Sequence, residues 1–133
     1  MLISHKYKCI FLHCRKTAGS SVSASLYRYL GPLDIAIGSW KEALAYNVYP
    51  NLRMLWWCLR PPGLNEPFLR LITFKKPFKR NVINRAIKKT FGSIYLEEFP
   101  STEYINQSSH LTARDISYFF PYEWENYTKF CIV

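Results

Sequence analysis

At 133 residues the chain has room for one domain around one core, and no apolar run approaches the ~20 residues of a membrane-spanning helix. Its formal charge of +9 points to anionic partners, yet no nucleic-acid-binding motif accompanies the basic residues, so nucleic acid is not an expected partner. The four cysteines (Cys9, Cys14, Cys58, Cys131) lack Cys-x-x-Cys spacing and form no metal-like cluster with histidine, which favours free thiols in a reducing compartment over a disulfide framework or a metal site.

In chain order, the first element is a strand over 8–14, a short apolar run bounded by turn chemistry and expected to be buried. The turn Arg15-Lys-Thr-Ala-Gly-Ser-Ser21 follows, then a helix over 20–30 with Val22, Leu26, Tyr29 and Leu30 on one face and Gly31-Pro32 as its stop. Residues 40–92 read as a basic, mainly helical insertion. From Arg53 to Lys89 there are ten Lys/Arg and one acid, Glu66, a local charge of +9. Its clearest helix runs over 81–91, with Val82, Ile83, Ala86 and Ile87 as the apolar face and Gly92 as the stop. A helix over 112–120 is expected to end at Pro121. Thr112 suits its N-cap, Asp115 a capping box, and Leu111 with Ile116 a hydrophobic staple. Trp124 and Tyr127 link it to a last strand over 129–133.

A tight small-residue turn between strand and helix points backbone N–H groups and the positive helix end at one spot, which suits an anion. This turn is not a Walker A loop, because Lys16 precedes Gly19. The turn alone also fits an ordinary strand-to-helix connection. The order strand, Lys-Thr-Ala-Gly-Ser-Ser, helix resembles the 5′-phosphosulfate loop of sulfotransferases, and more narrowly the carbohydrate sulfotransferases of the family 2 type. Their pattern often reads Pro-Lys-Thr-Ala-Gly-Thr-Ser. Here Arg15 replaces the proline, and Ser20 replaces a threonine while keeping its hydroxyl.

The resemblance implies 3′-phosphoadenosine 5′-phosphosulfate as donor, no metal, and a hydroxyl acceptor, foremost a carbohydrate. Lys16 would stabilise the departing phosphate, and Arg15, Thr17, Ala18, Gly19, Ser20 and Ser21 would complete the 5′-phosphate loop. The order His110-Leu-Thr-Ala-Arg-Asp-Ile116, a short helix and a strand also resembles that family, where a histidine in this place takes the acceptor's proton. His110 inherits the role of base, which an imidazole suits at neutral pH. His13, at the strand end, reads as a strand-end polar residue that also lies within reach of donor or acceptor. His5 has nothing to single it out.

The expected fold is α/β: a P-loop-like three-layer domain with a short parallel sheet, its two strands neighbours, and Lys16 and His110 converging near their C-terminal ends. The last five residues resemble the strand that leads into the family's 3′-phosphate signature, so the chain reads as the truncated N-terminal portion of a single sulfotransferase domain. By this reading it would bind donor weakly on its own. Residues 1–8 are too polar for a signal peptide, and the family's animal Golgi members carry an anchor not seen here, so a cytoplasmic enzyme is expected.

Three readings fit residues 53–89. They form a cationic acceptor groove with sugars stacked on Trp56 or Trp57, a membrane-surface patch, or an ordinary solvated basic face with its aromatics in the core. The rival to sulfuryl transfer is accordingly a non-catalytic basic module that binds anionic glycan or a membrane surface.

Overall fold

The structure, a computed structural model, describes residues 1–13, 19–65, 80–95 and 110–132. These form a small α/β domain with a four-stranded mixed sheet and, among the described residues, six helices. The elements are β1 (Leu2–Ser4), β2 (Cys9–Leu12), α1 (Gly19–Tyr27), β3 (Ile35–Ala36) and α2 (Trp40–Ala45). They continue as α3 (Leu52–Leu59), α4 (Arg80–Tyr95), α5 (Ala113–Phe119), α6 (Pro121–Asn126) and β4 (Thr128–Cys131).

The strand order is β3-β1-β2-β4. The two strands expected from the sequence, β2 and β4, are parallel neighbours in the register Cys9↔Thr128 to Leu12↔Cys131. The sheet as a whole is not parallel, because β1 pairs antiparallel with both β2 and β3. A three-residue strand followed by a four-residue turn permits this hairpin, whereas parallel neighbours need a long crossover.

Ile35, Ile3 and Ile10 stand in one register row across the sheet, and Ala36, Leu2 and Phe11 in the next. Successive residues of a strand face opposite sides, and all six are buried, so the central strands are covered on both faces. The edge strand β4 is different. All four of its residues are exposed, although Phe130 still packs on Phe11 at 5.3 Å between ring centroids.

Helix α1 stops at Tyr27, before Tyr29 and Leu30. Its buried positions are Gly19, Ser23, Ala24 and Tyr27, and Val22 and Leu26, like Leu30 beyond the helix, pack partly buried against the same core; of the expected face only Tyr29 is exposed. The buried Tyr27 hydroxyl at the end of the helix donates to the Gly38 carbonyl at 2.7 Å.

Helix α4 buries Val82, Ala86 and Ile87 as expected but runs through Gly92 to Tyr95. A mid-helix glycine costs about 1 kcal/mol relative to alanine. Here a cluster of Trp57, Phe91, Tyr95, Phe119 and Phe120 rings, with neighbouring centroids 4.8–6.4 Å apart, holds the extra turn in place. Gly63 lets the preceding turn approach this helix: a Cβ there would run into the Trp57 carbonyl and Thr90 Oγ1.

Helix α5 ends directly before Pro121, as expected, and Pro121 then opens α6 as a first-turn residue, where its missing N–H costs nothing. Of the cysteines, Cys9 and Cys58 are half-buried and Cys131 is exposed; Cys14 lies outside the described residues.

Candidate functional site

The C-terminal end of β2 brings two histidines together. His13 follows the strand directly, and His110 precedes α5, which is fixed by the capping box read from the sequence. Thr112 Oγ1 accepts from the Asp115 N–H at 3.2 Å, and Asp115 Oδ2 accepts from the Thr112 N–H at 2.8 Å. Leu111 and Ile116 are both buried, as the staple requires. With the backbone that follows it pinned, the His110 ring stands 4.7 Å from the His13 ring, centroid to centroid. His110 Nδ1 lies 3.4 Å from the His13 carbonyl oxygen. A carbonyl only accepts, so Nδ1 is the donor and the lone pair of neutral His110 falls on Nε2.

His13 is packed against the start of α1. A Cβ on Gly19 would overlap its ring, so glycine is required there by close approach. Burial lowers the His13 pKa to about 4, with smaller contributions from the amino terminus and His110, and the ring is neutral at physiological pH. Its Nδ1 is buried and makes no hydrogen bond among the described residues. The same is true of Ser23 Oγ, one turn beyond Gly19 on the same face of α1. Buried polar atoms are nearly always paired, so two orphans near one helix start are a feature to explain.

Of the residues singled out in the sequence, Gly19, Ser20 and Ser21 are the first three of α1; Gly19 is buried, Ser20 half-buried and Ser21 exposed. Arg15, Lys16, Thr17 and Ala18 lie outside the described residues, so the expected convergence of Lys16 with His110 falls there too. The contact of His110 with His13, and the orphaned Ser23, were not anticipated. His13 had a signal, its position at a strand end beside the turn, but Ser23 had none beyond lying in the first turns of the helix.

The other end of the hairpin holds a second polar cluster. The Asp34 carboxylate accepts from Ser4 Oγ (2.7 Å), Gly31 N–H (2.8 Å), His5 N–H (2.8 Å) and Lys6 N–H (3.2 Å). Burial alone would raise its pKa, but these four donors together hold it below the ordinary value. His5 Nε2 accepts from Arg53 Nη1 at 3.3 Å, and its Nδ1 meets the Tyr127 hydroxyl at 3.0 Å. Burial first, then Arg53, lowers the His5 pKa, with Glu123 and Asp34 partly offsetting them.

Beside Arg53 runs a groove of about 360 Å³ lined by Leu33, Leu52, Trp56, Ile94 and Tyr95. Trp57 is buried in the core, leaving Trp56, 62 % exposed, as the available platform. Because Ser4 pairs with Cys9, this groove lies at the opposite end of the strands from His13 and His110, not beside the expected base.

Among the described residues no group of three or more His, Cys, Asp or Glu is arranged to hold a metal ion, and no helix is long and apolar enough to cross a membrane. Comparison of the chain with models of protein families, with curated proteins and with solved structures gives no match.

Proposed function

We propose that the chain supplies the 5′-phosphosulfate side of a sulfotransferase, moving a sulfuryl group from 3′-phosphoadenosine 5′-phosphosulfate to a hydroxyl, foremost of a carbohydrate. The observation that carries this reading is the meeting of His110 with His13, 97 positions apart, where β2 leads toward α1. β2 and β4 are a parallel pair, and open α/β sheets bind ligands beyond the C-terminal ends of such strands. A P-loop-like, three-layer arrangement belongs to this proposal.

The residues present suit a polar ligand. His13 Nδ1 and Ser23 Oγ are buried without partners, and the first turn of α1 offers the Ser20 and Ser21 hydroxyls with N–H groups that an α-helix leaves unpaired. In this reading Thr17, Ala18, Gly19, Ser20 and Ser21 hold the 5′-phosphate, and Arg15 adds positive charge. The donor supplies an activated sulfuryl group on a phosphate leaving group. Lys16 neutralises the bridging oxygen as its bond to sulfur breaks. His110 Nε2 takes the acceptor's hydroxyl proton as the new oxygen–sulfur bond forms, so the products are a sulfate ester, the nucleoside bisphosphate and a protonated imidazole. The His13 carbonyl, accepting from Nδ1, keeps that lone pair on Nε2 and stabilises the cation that results.

The test is histidine-selective NMR with 3′-phosphoadenosine 5′-phosphate. Added nucleotide should shift the His13 and His110 ring signals, and Lys16→Ala should weaken binding at least tenfold. Unmoved rings at millimolar nucleotide, or equal binding by Lys16→Ala, would overturn the proposal.

A further inference from the structure

Helix α3 is apolar on both sides. Met54 and Trp57 face the core and are buried. Leu52, Leu55, Trp56 and Leu59 point outward, each between 44 and 68 % exposed. Their spacing is i, i+3, i+4, i+7, a single stripe along the helix. Tyr49, just before the helix, is also exposed. Leu52 and Trp56 continue into the groove with Leu33 and Ile94, so the exposed apolar surface is contiguous rather than scattered. Isolated exposed leucines need no explanation, but a contiguous patch marks a contact surface.

The charge around the stripe selects its occupant. Arg53 lies within the helix beside Leu52 and makes no salt bridge to a carboxylate among the described residues; its side chain meets neutral His5. Arg60 follows Leu59 directly and is exposed. A second copy of the chain on this face would bring together two molecules of formal charge +9. An anionic lipid surface instead attracts the same charges. Trp and Tyr are also the side chains that settle at headgroup depth, with an apolar body and a polar tip.

We propose that the outer face of α3 docks the protein on an anionic bilayer. Leu52, Leu55, Trp56 and Leu59 enter the headgroup–acyl boundary, and Arg53 and Arg60 lie among the lipid phosphates. A short helix buries little area, so binding needs both the apolar stripe and the charge. This inference stands apart from sulfuryl transfer, since Arg53 and its partner His5 sit at the far end of the strands from His13.

The experiment uses the full chain with sucrose-loaded vesicles of phosphatidylcholine, alone or with 30 % phosphatidylserine. The protein should sediment with the anionic vesicles, stay in solution with the neutral ones, and be released by 0.5 M salt. Leu55→Ser/Leu59→Ser, two exposed positions, should lower the bound fraction at least tenfold. As a measurement independent of any variant's folding, brominated phosphatidylcholine in anionic vesicles should quench the wild-type tryptophan emission. Failure of the wild type to sediment, equal binding by the double variant, or absence of quenching would overturn the proposal. So would a wild-type dimer by light scattering that the double variant breaks without any vesicle binding, because a second copy would then cover the face.

Discussion

The two ends of the β1–β2 hairpin draw on similar side chains, with histidine and serine at both, and use them in opposite ways. At the turn end, Asp34 accepts four hydrogen bonds and both ring nitrogens of His5 have partners. At the other end, His13 Nδ1 and Ser23 Oγ are buried with none among the described residues. A satisfied buried network holds a fold together, whereas an unsatisfied one costs stability until something binds to it. The contrast sets the two ends apart without reference to any relative: the turn end is a clamp, and the His13 end is where we propose that a ligand binds.

The strongest way to break the contrast is to remove the clamp. Asp34→Ala leaves three N–H groups and the Ser4 hydroxyl without their acceptor, and hydrogen bonds to a charged group contribute ~1.5–3 kcal/mol each, though not additively. A loss of about 3 kcal/mol or more in denaturant unfolding is expected. A loss below about 1 kcal/mol would mean that this end is no clamp.

Acid tests both ends at once. The folded state holds His13 and His5 below the ordinary histidine pKa, so the unfolded chain binds more protons as pH falls. The histidine contribution to stability should be full above the unfolded pKa of 6.5 and should decline from there toward about 4, where folded His13 itself protonates. With ~1.4 kcal/mol per pH unit as the ceiling, and a discount for the part-exposed ring, His13 accounts for on the order of 1–2 kcal/mol. Unfolding midpoints at pH 7, 6, 5 and 4 check this. A flat profile from pH 7 to 5, or an NMR titration of His13 near 6.5, contradicts it.

Thr112→Ala removes the cap that sets the His110 backbone, and N-cap losses are typically about 1 kcal/mol. The informative readout is the position of His110. Thr112→Ser keeps the acceptor, so it should restore both stability and the His110 ring shift, whereas an equal loss in both variants would trace the effect to packing instead.

What could be read beforehand follows the range of the interactions. The Thr112 box, the Leu111–Ile116 staple and the apolar face of α4 depend on residues within a few positions of one another, and they stand as read. The parallel pairing of β2 with β4 was legible as two apolar runs separated by helical sequence. What was misread depends on distant partners. Gly92 is carried through by rings from α3 and α5, and α1 ends at Tyr27, whose hydroxyl bonds to Gly38, leaving Tyr29 exposed beyond it. β1 was hidden because a three-residue strand is too short to show periodicity and its turn, His5 to Lys8, is polar. At the site, His110 was singled out by its place before a helix, but its contact with His13 spans 97 positions and no local pattern encodes it.

The smallest expected change in stability sharpens the comparison most. His5→Phe and His13→Phe exchange the same ring type at the two ends. At position 5 the substitution strands Arg53 and the Tyr127 hydroxyl, and a loss of about 1–2 kcal/mol is expected from partners left unpaired. At position 13 it removes a buried nitrogen that has no partner, and a phenyl ring preserves the contacts with Phe11 and His110. The unfolding free energy should stay within about 0.5 kcal/mol of wild type or rise slightly, because removing an unsatisfied buried polar atom relieves its desolvation cost. Nucleotide binding should nevertheless weaken, since the orphaned nitrogen is part of what a ligand would satisfy. If His13→Phe instead destabilises the protein as much as His5→Phe while nucleotide binding is unchanged, the His13 end is as structural as the turn end, and the candidate site must be sought elsewhere.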